Sequence, residues 1–313
     1  MKSNISRFWN TLLIPAMTLT LAGCAGSGAE AVHISDEPEI ISAPRVSYLG
    51  PEGTYTEEAT KFFFPDASAM LAERTVDDAI AKVMEDGADY AVIPQENTLG
   101  GPVTNYVDAL IAQNDIYVVG EVILPISQTL LGVPGSSLDQ IKTVCSHAQG
   151  LRQSEQWRQE HLPDAVTEEK DSTAAAAAYV AEQQDPSIAA IAAPGAAELY
   201  GLIVLAENVQ ITMNNQTRFY VLAKEKLRDE GHPNAVFTVS CRAEEIDDII
   251  VTIHNSGLEL VALHDRPEGS ALGSYNYLIE VSCESGITVK QIETVTANEK
   301  IHFFGSFESR EKK

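Results

Sequence analysis

From Arg45 to Gly201 the chain alternates short β-type apolar runs with amphipathic helical ones, and no other feature limits its fold as strongly. "RVSYL" reads as a strand. "TYTEEATKFFF" reads as a helix with Tyr55, Ala59, Phe62 and Phe63 on one face, and Thr54 with Glu57 fits a capping box at its start. Helix "DDAIAKVMEDG", strand "DYAVI" and helix "PVTNYVDALIAQ" follow, then one long extended stretch from Ile116 to Val133. Strand "IKTVC", helix "QGLRQSEQWRQEHL", strand "AVTEE", helix "STAAAAAYVAEQQ", strand "IAAIAA" and the short helix "PGAAELYG" complete the series. Such alternation predicts an α/β region of parallel or mixed sheets flanked by helices. Phe219 to Ala223 reads as a further buried strand, and it is preceded by the unusually polar "NNQTR".

After a charged linker, "EKLRDEGHPN", the order changes. Strand 235–242, helix 243–256, strands 258–266 and 274–284, helix 287–298 and strand 300–307 spell βαββαβ, the order of a ferredoxin-like module. That order alone assigns no function. The N-terminus differs again. Lys2 and Arg7 precede "TLLIPAMTLTLAG", an apolar run too short to span a bilayer and right for a secretory signal, and the run ends at Cys24. "LAGC" resembles the lipobox of bacterial lipoproteins. That resemblance implies a signal peptide over 1–23, lipid on Cys24, export to the cell envelope, and membrane contact through the lipid only. Residues 24–44, small, acidic and proline-containing, read as a tether.

The formal net charge is −24, which argues against nucleic acid or an anionic membrane surface as partner. Cys241 and Cys283 end two strands expected to pair antiparallel, so a bridge between them is not expected. The histidines are scattered without ligand spacing, so no metal is expected. No GxGxxG, phosphate-loop or GxSxG pattern stands at a strand end, and no cofactor is expected. Ser146 beside His147 is a poor nucleophile–base pair, because neighbours on a loop point apart.

The polar residues gather at strand-to-helix junctions: "GPEGT", "ENTLGG", "SHAQ" and "DST". Each junction alone is an ordinary helix cap. Several helix starts converging beyond the carboxyl ends of the strands make an anion pocket, and a small carboxylate is the natural guest.

"YLGPEGTYTEEA", "AVIPQENTLGG", "SHAQGLRQ", "STAAAA", "LYGLIVL" and "NQTRFYVLA" stand in the order and spacing of prephenate dehydratase, which residues 45–224 resemble closely. Residues 235–307 resemble the ACT domain that usually follows. The resemblance implies a two-lobed, periplasmic-binding-protein-like catalytic region. It implies decarboxylative dehydration of prephenate to phenylpyruvate, a lyase reaction on the route to phenylalanine, with no cofactor. It also implies a homodimer or higher homo-oligomer. It places Thr217 nearest the departing hydroxyl as a positioned donor, with Asn97, Ser146 and Gln153 orienting substrate. Arg218 either pairs with a substrate carboxylate or fixes the cleft wall. Thr54, Thr98, Ser172 and Thr173 are further substrate-binding candidates, and Glu96 is expected to be structural. Because the chain is so acidic, the cleft must be locally positive, from Arg218 and the helix starts.

Two departures accompany the resemblance. Where phenylalanine-inhibited relatives carry a glycine-containing turn and a Glu-Ser-Arg-Pro stretch, this chain has "EEID" and "HDRP", with Glu244 in place of the glycine and only Arg266 and Pro267 retained. Weak or absent phenylalanine feedback is expected. Export is unusual for the family. Arogenate as substrate, or a non-catalytic solute-binding lipoprotein for aromatic carboxylates, are the alternatives.

Overall fold

The computed structural model describes residues 41–312 apart from 103, 114, 213 and 226–230. The expected signal peptide with Cys24, all but the end of the expected tether and the middle of the linker lie outside the described residues. Among the described residues no helix is long and apolar enough to cross a membrane.

The first lobe begins with β1 (Arg45–Leu49), α1 (Tyr55–Phe63), β2 (Ala69–Glu73), α2 (Val76–Met84), β3 (Tyr90–Asn97), β4 (Gly101–Pro102), α3 (Thr104–Ile111) and β5 (Tyr117–Pro125). The chain then crosses to a second lobe. It comprises β6 (Thr129–Gly132), β7 (Thr143–Ser146), α4 (Ala148–Gln153), α5 (Glu155–His161), β8 (Val166–Glu169), α6 (Thr173–Gln183), β9 (Ile188–Ala192), α7 (Ala196–Tyr200) and β10 (Ile203–Ala206). It returns through β11 (Gln216–Ala223) and finishes with β12 (Asn234–Arg242), α8 (Ile246–Asn255), β13 (Glu259–Pro267), β14 (Ser274–Ser282), α9 (Val289–Thr296), β15 (Ile301–Phe307) and β16 (Ser309–Glu311).

Three sheets result. The first runs β16-β5-β11-β3-β1-β2, with β4 beside β3, the second β10-β6-β9-β7-β8, and the third β13-β14-β12-β15. β1 is parallel to both β2 and β3, while β11 runs antiparallel between β3 and β5. The fold is therefore the expected two-lobed α/β region of mixed sheets, followed by a βαββαβ module with an antiparallel sheet.

Local chemistry explains most elements. In α1 the Thr54 hydroxyl accepts from the Glu57 N–H at 3.3 Å, but the Glu57 carboxylate reaches back to the Gly53 N–H rather than to Thr54. Only half of the expected capping box forms. Gly53 has φ +83°, which brings its N–H within reach of Glu57 and which other residues resist. In α6 the small size of the alanines sets the packing. Ala174, Ala176 and Ala177 are fully buried with Val180, so the helix lies close against β9.

Elsewhere the structure departs from expectation. The extended stretch 116–133 is two strands in different lobes, because Ile126–Gln128 is a crossing segment. The helix expected over 149–162 divides at Ser154, whose hydroxyl donates to the Gly150 carbonyl at 2.7 Å, while the Arg158 guanidinium takes the Leu151 carbonyl. β3 extends past "DYAVI" through Asn97. Pro94 is tolerated there because the pairing with β11 shifts register beside it, between Arg218 and Phe219. β2, β10 and β16 are strands that the residue pattern does not announce. β16 follows the βαββαβ module and adds to the edge of the first lobe's sheet beside β5. Arg310 caps the Phe63 ring from there, its guanidinium 4.0 Å from the ring centre. In the third sheet Cys241 pairs opposite Tyr275, whereas the Cys283 N–H bonds the Pro233 carbonyl at the far end of β12, so the two thiols stand a strand length apart.

The core is continuous from the first lobe into the module. Ile93, Tyr106, Leu110, Ile116 and Tyr220 pack with Val236, Leu278, Phe304 and Phe307 in one apolar cluster. The second lobe has separate clusters on the two faces of its sheet.

Candidate active site

A cavity of about 620 Å³ opens between the two lobes. That is the size range of small-molecule clefts. Three helix starts supply its wall: Thr54, Tyr55 and Thr56 of α1, His147, Gln149 and Gly150 around α4, and Ser172, Thr173 and Ala175 of α6. Of the fourth junction, Asn97 reaches the cavity, while Tyr106 and Leu110 of α3 pack toward the βαββαβ module.

β3 and β11 supply the reactive wall. Asn97 is the hub. Its Oδ1 accepts from the Leu99 N–H at 3.1 Å, the Gly100 N–H at 3.0 Å and Gln149 Nε2 at 3.2 Å. Two backbone donors must face an oxygen, so the amide orientation is settled. Asn97 Nδ2 then donates to Asn215 Oδ1 at 2.8 Å, to the Gln216 carbonyl at 3.1 Å and to Thr217 Oγ1 at 2.9 Å. Buried Asn215 passes the chain on to Gln153 Oε1, which Gln128 Nε2 also meets at 3.2 Å. Thr217 Oγ1 is thus an acceptor toward the protein, and its own proton meets no described acceptor. Gln128, buried in the crossing segment, keeps its Oε1 without a partner in the same cavity.

Among the expected site residues, Thr217, Asn97, Gln153, Thr54, Ser172 and Thr173 line this one cavity. Thr54 and Ser172 also cap α1 and α6, the latter accepting from the Ala175 N–H at 2.9 Å. Three others do not line it. Ser146 is fully buried, and its hydroxyl donates to the Ile191 carbonyl at 2.6 Å, tying β7 to β9. A Cβ on Gly150 would collide with that hydroxyl, so Ser146 supports the start of α4 from beneath. Thr98 faces the turn, where its hydroxyl accepts from the Gln216 N–H at 3.0 Å and donates to the Asn214 carbonyl at 3.1 Å.

Arg218 is the largest correction. Side chains alternate along a strand, so with Thr217 and Phe219 on the cavity, Arg218 points through to the other face of the sheet. There its guanidinium meets Glu121 at 2.6 Å, Glu280 at 2.6 Å and Glu96 at 3.3 Å. Burial opposes its charge, but Glu280 and Glu121 outweigh that and raise its pKa. Burial pushes the Glu121 carboxyl above its ordinary range despite Arg218. Gln95 adds a bond to Glu280, which belongs to β14, so this is a polar joint between lobe and module.

With Arg218 engaged elsewhere, the one lysine or arginine lining the cavity among the described residues is Arg74, just past the end of β2. Sequence reasoning misses it because β2 is weakly patterned. A signal is nonetheless present: "ERTVDD" has the cap-and-acid pattern of a strand-to-helix junction, and Thr75 does cap α2. Gln128 carries no comparable signal. Tyr55 is no candidate base, since its hydroxyl donates to the Ser127 carbonyl and burial raises its pKa well above the ordinary value. No group of three His, Cys, Asp or Glu among the described residues is placed to hold a metal.

Two α/β lobes facing a cavity lined by helix starts, hydrogen-bonding amides and hydroxyls, and the charged Arg74 and Asp171 define a cleft protein of small-molecule size. Comparison with known proteins narrows the class. The profile of the prephenate dehydratase family matches residues 46–227, and the chain belongs to that family. A bifunctional chorismate mutase/prephenate dehydratase of Neisseria gonorrhoeae is 36% identical over 238 residues, 75% of this chain and 66% of the relative. The chain therefore spans just under two thirds of that relative. Arogenate dehydratase 5 of Arabidopsis thaliana is 39% identical over 194 residues, 62% of this chain and 45% of the relative. The crystal structure of an Arthrobacter aurescens prephenate dehydratase, in complex with L-Phe, superposes with a TM-score of 0.76 at 29% identity, covering 84% of this chain and 90% of that one.

Proposed function

We propose that the chain converts prephenate, with one proton, into phenylpyruvate, water and carbon dioxide. The bond from ring to carboxylate breaks and its electron pair completes the aromatic ring as the ring hydroxyl departs. Aromatisation supplies the driving force, so no electron sink is required. What the protein must add is a hydrogen bond or proton for the leaving oxygen and a fixed pose for the substrate.

One observation carries this reading: Asn97 donates to Thr217 Oγ1 and leaves the threonine proton directed to no described acceptor, in a wall shared with the cavity. Thr217 then donates to the departing hydroxyl. A threonine is a weak acid, so it acts as a positioned donor. Gln153 and Gln128 orient the rest of the ring substituents. Helix starts at α1 and α6 favour the carboxylates. The test is the purified full-length chain with prephenate, followed by phenylpyruvate formation. Turnover supports the reading, and a folded protein without turnover on prephenate or arogenate overturns it.

The βαββαβ module is read as an ACT domain that holds two copies together rather than one that senses phenylalanine. In place of a ligand-admitting glycine, Glu244 sits with its carboxylate 2.7 Å from Arg242. Phenylalanine should shift neither turnover nor Tm, and clear micromolar inhibition would refute this. Sedimentation should report a dimer or larger assembly. The lipobox resemblance of "LAGC" supports export and lipid on Cys24, which mass spectrometry of the membrane fraction would detect.

A further inference from the structure

Two charged side chains, one from each lobe, line the cavity with no hydrogen bond or ion pair to any described residue: Arg74 and Asp171. Their positions correspond. Arg74 directly follows β2, the outermost parallel strand of the first lobe, and Asp171 follows β8, the outermost strand of the second. Both lie beyond the carboxyl ends of their strands, where ligands of open α/β sheets sit. Both are exposed, so they stand at the cavity mouth. Four other arginines are held by carboxylates: Arg218 by three, Arg45 by Asp89, Arg242 by Glu244 and Arg266 by Asp108. Arg152 is likewise without a partner but does not line the cavity, so Arg74 is the unpaired arginine on the cavity wall among the described residues.

We infer that Arg74 receives a substrate carboxylate, and that Asp171 biases the cavity between the keto-acid and amino-acid forms of the substrate. This rests on the reaction proposed above. The electrostatics decide the signs. Prephenate carries two negative charges, so Arg74 attracts it and Asp171 repels it. Arogenate carries an ammonium in place of the keto oxygen, and that group is the one part of either substrate that an unpaired carboxylate favours. Arg74 presents a planar fork matched to a carboxylate, and charge-assisted hydrogen bonds of this kind are the strong ones. Neither residue hydrogen-bonds Thr217 or its amide partners, so their effects belong in binding rather than in the bond-breaking step.

Steady-state kinetics of the full-length chain on prephenate and on arogenate test this, with Arg74→Gln, Arg74→Lys and Asp171→Asn. Arg74→Gln should raise KM for both substrates by about tenfold or more, the size of a lost charge-assisted contact, with kcat within about threefold. Arg74→Lys should recover part of the loss. Asp171→Asn should lower KM for prephenate and raise it for arogenate. KM values unchanged within about twofold in Arg74→Gln, or Asp171→Asn moving both substrates alike, would overturn the inference while leaving the reaction standing. A wild-type chain inactive on both substrates would instead remove the reaction and this inference with it.

Discussion

Thr217 and Arg218 are neighbours on one strand, yet they serve two regions with opposite physics. The cavity face of β11 is built from neutral groups. A threonine, three glutamines and two asparagines hold one another by hydrogen bonds and leave selected donors and acceptors unspent. The opposite face is an ionic joint in which one guanidinium pairs with three carboxylates, from β5, β3 and β14, all held by tertiary packing. A neutral network can keep a hydroxyl proton available without itself titrating. An ionic joint is costly to disturb, because removing one partner strands the others in a region of low polarity. The contrast teaches that an arginine in a signature sequence need not touch the substrate.

The largest effect expected is on the ionic side. Arg218→Met should lower stability by about 3–5 kcal/mol, read from urea midpoints, because Glu121 and Glu280 lose their partner. A stable Arg218→Met protein with turnover abolished would break the comparison and return Arg218 to the chemistry. Next comes Thr217→Ala, which should keep its fold and lose about 10²-fold in kcat, equivalent to roughly 2.7 kcal/mol of transition-state stabilisation. Turnover like wild type in that folded variant would remove Thr217 from the mechanism.

A smaller effect lies where the two kinds of role meet. Ser172→Ala removes the cap of α6 and should cost about 1 kcal/mol by thermal or chemical unfolding. A rise in KM beyond that structural loss would give Ser172 a direct hold on substrate. The smallest effect is at the surface pair of Arg45 and Asp89. The hydrogen bond from Arg45 holds the Asp89 carboxyl below its ordinary value. Its stabilisation is therefore present above the ordinary aspartate pKa of about 4 and is lost as pH falls through the lowered one. Asp89→Asn should be slightly less stable than wild type at neutral pH, and the gap should close on acidification.

Much of the architecture is legible in the residues themselves. The capping residues Thr54 and Ser172, the buried alanines of α6 and the βαββαβ order rest on local propensity and periodicity, which act within a few residues. β2 is not legible, because "AMLAE" is half-buried and weakly patterned, and it becomes a strand by pairing with β1. β16 has three exposed residues, and its pairing with β5 makes it a strand. Without β2 as a landmark, Arg74 has no visible place near the cleft.

The chain's own order of residues determined that an α/β region of mixed sheets and a βαββαβ module would form, and that amide and hydroxyl groups would gather at the strand ends. It did so because hydrogen-bonding needs and apolar periodicity are local properties. Tertiary structure alone decided which of those groups share a cavity. Adjacent residues on β11 face opposite ways, and only the packing of the module against the sheet gives Arg218 its Glu280 partner. That same arrangement leaves Arg74, far away in sequence, as the lysine or arginine facing the cleft among the described residues.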